Sequence, residues 1–145
     1  MKKFKFKLES LLDVRRHRET MQKMALAKVV DRKMRLLDEK TGIESDLNAY
    51  SPDFSKIAGR PDQFQQHSAW VHGQHKRMFQ IDGMVRKVDV EIEKERQKLV
   101  KANQETRILE NLESKHRMLF LKEFEREQQK QLDEIATQRF NRKRR

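Results

Sequence analysis

Residues 78–109 read MFQIDGMVRKVDVEIEKERQKLVKANQETRIL. Alternating steps of three and four pick out Met78, Ile81, Val85, Val88, Ile92, Glu95, Leu99, Ala102, Thr106 and Leu109, a mainly apolar seam sustained for more than four heptads. That spacing is the 3.5-residue period of a coiled coil. Lys87, Asp89, Glu91, Glu93, Lys94, Arg96 and Lys98 fill the positions between, so only a narrow stripe leaves water and the helix needs a partner helix.

Composition limits the choice of partner. Of the 145 residues 39% are charged and 35% hydrophobic, against about 45–50% apolar in ordinary globular domains, so a thick multilayer core is not expected. There are four glycines and two prolines, and both prolines fall between Tyr50 and Asp62, which leaves two long segments free of the strongest helix breaker. The fold expected is all-α: two long helices in an antiparallel coiled-coil hairpin, one domain over 1–145, with a helix at 4–50, a loop at 51–61, a helix at 62–140 and a basic tail at 141–145. Cysteine is absent, so no disulfide or thiolate metal site staples the chain. No apolar run follows the amino-terminal lysines as a signal peptide requires, and no window approaches the roughly 18 apolar residues of a membrane span. With a mean hydropathy of −1.04 the sequence reads as that of a soluble protein.

The first segment is the weaker coiled-coil strand. Phe4, Phe6 and Leu8 alternate with lysines, a local strand pattern, but Leu8, Leu11, Leu12, Leu26, Val29, Leu36, Ile43, Leu47 and Tyr50 keep a helical period, and the reading is helix from near Phe4 or Leu8. Continuing the step through the middle puts Arg15, Glu19, Gln22, Lys33 and Lys40 on the seam. Met21, Met24, Val30, Met34 and Leu37 lie off that register, which suggests a seam that drifts, with adaptable methionines in the contact. The chain then reverses through Ser51, Pro52, Asp53, Ser55, Gly59, Arg60, Pro61 and Asp62.

Lengths decide what remains uncovered. Helices of about 68 Å and 118 Å, at ~1.5 Å per residue, would run out of overlap where Phe4 reaches Leu109, so everything from about Leu112 is expected to overhang. The overhang keeps an apolar stripe in Leu112, His116, Phe120, Phe124, Leu132, Ile135 and Phe140, with a stutter between Phe120 and Phe124. A second copy or a straighter first helix would cover it; otherwise it docks into another protein.

Charge gathers at the termini. Lys2, Lys3, Lys5, Lys7, Arg15, Arg16 and Arg18 at one end and Arg139, Arg142, Lys143, Arg144 and Arg145 at the other supply much of the net +11, and the hairpin brings both basic segments to the end away from the loop. Nucleic acid is one reading of such an end, though no zinc-finger spacing or aromatic RNA-binding motif accompanies it. A basic nucleic-acid-binding coiled coil and a purely structural coiled-coil dimer are the alternatives from other classes. No phosphate loop, nucleophile elbow or HExxH motif is present, so no catalytic residue is expected. His67, His72 and His75 cluster, but no acidic residue between Asp62 and Asp82 completes a metal site, and they read as surface histidines. At the loop end Tyr50, Phe54, Phe64, Trp70 and Phe79 gather within thirty residues, either as a cap over the loop or as a partner site.

The opening Phe4-Lys5-Phe6-Lys7-Leu8-Glu9-Ser10-Leu11-Leu12, with the closing Leu132-Asp133-Glu134-Ile135-Ala136 and Phe140, resembles the FliJ family of flagellar type III export, and the layout of two helices, central loop and basic tail matches along the whole chain. The resemblance implies a fold like the gamma-subunit stalk of rotary ATPases. It further implies a component without cofactor or catalytic role that inserts the end carrying both termini into the hexameric ring of the flagellar export ATPase. On this resemblance Phe4, Phe6, Leu8, Leu11, Leu12, Arg15, Arg16, Leu132, Asp133, Ile135 and Phe140 face the ATPase. Ile43, Leu47, Tyr50, Trp70 and Ile81 face the export-gate membrane protein, with Gly73 and Arg77 departing from the family's pattern there. Export chaperones are further implied partners. The implied place is cytoplasmic, peripheral to the membrane at the flagellar base, as a free monomer without nucleic acid.

Overall fold

The computed structural model of the chain describes residues 3–50 and 54–143, apart from the side chains of Phe54, Ile57 and Lys143. It contains α1 (Glu9–Ala49), α2 (Phe54–Ile57) and α3 (Pro61–Lys143), with no strand among the described residues. α1 and α3 pack antiparallel as a hairpin, and their contacts fall into two units, Met1–Thr20 with Lys101–Arg145, and Met21–Val100.

In Met21–Val100 the α3 seam is built as its period requires. Ile81 and Val88 are buried, and Met78, Val85, Ile92, Glu95 and Leu99 half-buried. From α1, Gln22, Leu26, Val29, Lys33, Leu36, Lys40, Ile43 and Leu47 are half-buried, one at every step of three or four. The seam therefore does not drift. Met21 and Met24 are 54% and 55% exposed, Val30 and Met34 are exposed as well, and only Leu37 of the off-register set is half-buried.

The polar seam residues hold the register because each finds a partner on α3. Lys33 Nζ lies 2.7 Å from Asp89 Oδ1, Lys40 Nζ 2.7 Å from Asp82 Oδ1, and Gln22 Nε2 donates to the Glu95 carboxylate. A seam lysine lays its methylenes over the apolar contact and carries its charge to the rim. The Asp82 hydrogen bond holds the Lys40 ammonium above its usual range. Arg32 with Glu91 and Arg77 with Glu39 flank the same ladder. Exposed pairs contribute little each, but a shifted register would break the set together.

Glu95 yields a test of this ladder. Hydrogen bonds from Lys98, and then from Gln22, hold its carboxyl below its ordinary value of 4.5 against the opposing effect of burial. A depressed folded value means stability present above pH 4.5 and lost as pH falls through the folded value. Glu95→Gln is accordingly expected to unfold with a weaker acid dependence below pH 4.5 in urea titrations; identical acid dependence in both chains would show the carboxylate contributes nothing to the seam.

In the unit of Met1–Thr20 with Lys101–Arg145, Leu12 is 2% exposed, and Ala102 and Thr106 are buried beside it in the seam. The Thr106 hydroxyl donates to the Ala102 carbonyl at 3.0 Å, so its burial leaves no orphaned donor. Arg15 pairs with Glu105, Arg16 with Glu110, and Asn103 donates to Glu19.

Two expectations about this unit are corrected. The helix begins at Glu9, beside Leu8 rather than near Phe4, and the overlap reaches Phe120 rather than ending before Leu112. The two corrections share one cause. Phe4 and Phe6 meet Phe120 and His116 at ring-centroid distances of 5.6 and 5.8 Å. Four residues of α3 span about 6 Å, so the amino-terminal segment advances about 3 Å per residue, the rise of an extended chain. An extended segment covers twice the length of α3 that a helix of the same residues would. Beyond Phe124, residues 125–142 are exposed on every side.

At the other end of α1 the reversal is built around glycine and proline. Gly59 has φ +132°, where a side chain would be strained, and Pro61 opens α3 at a position where its missing N–H is not needed. The Arg60 carbonyl accepts from the Gln63 and Phe64 amides at 3.1 and 3.2 Å. The expected turn residues Ser51, Pro52 and Asp53 lie outside the described residues, as do Lys2 and the tail arginines Arg144 and Arg145.

Candidate docking surfaces

The first surface lies in the unit that holds both terminal segments. Nineteen of the 34 Lys and Arg but eleven of the 23 Asp and Glu fall there, so it carries +8 of the net +11. The residues that the family resemblance assigns to the ATPase divide by burial. Phe6 and Leu12 are buried against α3, Phe4 is half-buried between Phe120 and the Arg117 guanidinium, and Arg15 and Arg16 are engaged with Glu105 and Glu110. Their packing positions the surface. Leu8, in the turn before α1, and Leu11, on its first turn, are partly exposed, whereas Leu132, Ile135 and Phe140 are 61%, 48% and 64% exposed on the last turns of α3. Asp133 is exposed among them, its carboxylate accepting from Gln129 and its carbonyl from the Thr137 hydroxyl.

Additional apolar surface here was not picked out from the sequence. Met118, Leu119 and Leu121 are each half or more exposed, with Ile108 on α3 and Val14 on α1. Four consecutive apolar residues, Met118 to Leu121, point to every side of a helix at about 100° per residue. A seam can take only one of them, and here it takes Phe120. The run itself was the available signal.

The second surface lies in Met21–Val100, where α1 ends. The Tyr50 ring stacks on His67 and tilts against Trp70, at 4.8 Å from each. With Gln63 and Gln66 these side chains line a recess of about 380 Å³ that carries no formal charge with His67 neutral. Phe64 and Phe79 are exposed on the same stretch of α3. Of the residues that the resemblance assigns to the export gate, the structure brings Tyr50 and Trp70 together at this recess. Ile43 and Leu47 are half-buried in the seam and Ile81 is wholly enclosed by it, so those three act in interhelical packing. Gly73 lies within α3 and Arg77 pairs with Glu39.

His72 and His75 are exposed, and among the described residues no group of three or more His, Asp or Glu is arranged to hold a metal ion. No helix among them is long and apolar enough to cross a membrane.

Comparison with known proteins returns a family model described as flagellar FliJ protein, matching residues 4–145. No curated protein and no solved structure matches.

Proposed function

The chain belongs to the FliJ family, which makes it a component of flagellar protein export, and from that premise we propose that it is the stalk of the export ATPase. In this reading α3 beyond Phe124 enters the hexameric ring, and Leu132, Ile135 and Phe140, joined by Leu8 and Leu11, form the apolar contact. Asp133 lies within that contact, while Phe4, Phe6, Leu12, Arg15 and Arg16 hold the terminal segments in place behind it. The observation that supports the reading is the length of α3 with no intramolecular cover and apolar on one side, in a unit that carries +8 of the net charge. An uncovered apolar stripe is costly in water and is relieved inside a partner, and positive charge accelerates approach to an acidic one.

Docking would promote ring assembly and turnover, and chaperones and the export gate would be met elsewhere on the chain, which sits at the membrane through those partners. Titrating the chain into the export ATPase tests this directly. Turnover and the hexamer fraction are expected to rise together and to saturate; no change in either with excess chain would overturn the proposal.

The Tyr50–Trp70 recess is the proposed contact with the export gate, with Ile43, Leu47 and Ile81 supporting it from the seam. Trp70→Ala or Tyr50→Ala is expected to weaken gate binding by roughly thirtyfold, the effect of truncating one aromatic anchor. Helicity by circular dichroism should be unchanged. If both variants bind the gate as the parent chain does, the aromatic cluster is only a cap on the reversal.

A further inference from the structure

The segment Lys3–Lys7 has properties that docking by an apolar helix does not use. Its side chains alternate: Phe4 and Phe6 turn onto α3, and Lys3, Lys5 and Lys7 are exposed. Its spacing against α3 is that of an extended chain. Among the described residues, the amides of Phe4, Lys5, Phe6 and Lys7 donate no hydrogen bond, and of the carbonyls from Lys3 to Phe6 only that of Phe6 accepts one, from the Glu9 amide at 3.3 Å. The segment is thus extended from Lys3 to Phe6 with both backbone edges open, anchored by its own phenylalanines, and turns at Lys7 and Leu8 before α1.

We propose that Lys3–Lys7 adds as a strand to the edge of a β-sheet in the protein that receives this unit, beside an edge strand bearing acidic side chains. Three features lead there. An extended segment with unpaired backbone groups is a template for strand addition, and here the phenylalanine anchors hold it in the pairing conformation before the partner arrives, which lowers the entropy lost on binding. Lys3 and Lys5 then stand on one face about 7 Å apart, with Lys7 at the turn that follows. Side chains of an added strand on that face lie directly across from them, where carboxylates are favoured and a second copy of this segment is repelled.

The third feature is the α3 surface on either side. Leu119 and Leu121 flank Phe120 by about 100° each, and both are half or more exposed. A strand about 4.8 Å from Lys3–Lys7, on either edge, would set its inward side chains over one of these leucines. An acidic membrane surface would use the lysines but would leave the open backbone edge and the flanking leucines without a role.

The inference rests on the docking reading above, and the export ATPase is the probe. Hydrogen exchange is followed at single amides in the free full-length chain and in its ATPase complex. Successive amides of a strand point to opposite edges, so binding is expected to protect an alternating set, either Phe4 with Phe6 or Lys5 with Lys7. Chains carrying one N-methylated amide, at Lys5 or at Phe6, should then separate: the methyl on the protected edge weakens binding about fivefold or more, and the other leaves it close to the parent value. Circular dichroism confirms that both retain their helices.

Unprotected amides in the complex, together with equal affinities of the two methylated chains, would overturn the proposal. If in addition vesicles containing about one third phosphatidylserine bind the chain, and Lys3, Lys5 and Lys7→Gln abolishes that binding, a lipid surface takes the place of the strand. Leu132→Asp with Ile135→Asp distinguishes strand addition from docking at the overhang. Binding lost in that variant alongside unprotected strand amides in the parent complex sinks strand addition and leaves ATPase docking standing, whereas binding unaffected by it sinks docking at the overhang itself.

Discussion

Ile81→Asp is expected to abolish the cooperative unfolding transition of Met21–Val100. Ile81 is 0% exposed and sits in a seam whose other buried apolar side chain, among the described residues of Met21–Val100, is Val88. Truncation to alanine alone costs about 2–5 kcal/mol at such a site. A carboxylate there must also be desolvated without an assigned partner, or become protonated, which adds to the loss. Against a whole-domain stability of roughly 5–15 kcal/mol, a two-helix unit with so few buried residues cannot absorb that.

The separated α1 segment, with a largely polar composition, has little helical stability of its own once its packing is gone. Far-UV circular dichroism in urea should therefore show a lowered midpoint for Ile81→Ala and a sloping, non-cooperative loss of helix for Ile81→Asp. Phe79→Asp is the matched control: two residues earlier and 73% exposed, it should change stability by no more than about 0.5 kcal/mol. A parental urea midpoint for Ile81→Asp would show that the seam is not the source of stability. The comparison also guards the partner assignments, since a gate-binding defect in an Ile81 variant with a lowered midpoint reports lost packing rather than a lost contact.

Leu132→Asp combined with Ile135→Asp is expected to do the opposite, removing docking while leaving the fold intact. Both positions are in the uncovered part of α3, and surface substitutions outside packed sites stay within about 0.5 kcal/mol. If the two leucine and isoleucine side chains are anchors, each truncation costs about 2 kcal/mol of binding, and the pair together at least a hundredfold in affinity even when the two effects are not additive. The new carboxylates also join Asp133 and Glu134, turning that turn of helix acidic where an acidic lumen would repel it. ATPase turnover and hexamer formation should fall to the levels without the chain, at unchanged helicity and urea midpoint. Charge reversal at Arg139 and Arg142 should instead slow association and flatten its salt dependence. Undiminished stimulation by the double Asp variant would move the docking contact to Leu8 and Leu11.

How much of this was legible from the residues depends on whether the deciding partner was local. The ten seam positions from Met78 to Leu109 are all buried or half-buried, because a 3.5 period sustained over four heptads dictates which stripe of a helix must be covered, whatever covers it. The same arithmetic, carried through Arg15, Glu19, Gln22, Lys33 and Lys40, placed polar residues on the α1 seam correctly. The drift inferred from Met21, Met24 and Met34 failed because their hydrophobicity was weighed alone; what keeps the lysines in register are Asp82 and Asp89, on the other helix. Tyr50 and Trp70 were recognisable as neighbours across the reversal, but the recess they form with Gln63 and Gln66 depends on how α1 meets α3.

Residues alone thus determined the helices, their antiparallel pairing and the faces they bury, since these follow from periodicity and from the position of the only helix breakers. The path of the amino terminus was decided only by tertiary structure. Phe4-Lys5-Phe6-Lys7 suits a strand or a helix about equally by local pattern. The rings that settle it, Phe120 and His116, lie more than a hundred residues away in the chain, where no local preference can register them. From that one contact follow the start of α1 at Glu9, the cover reaching Phe120 and the open backbone edge, because an extended chain advances twice as far per residue as a helix.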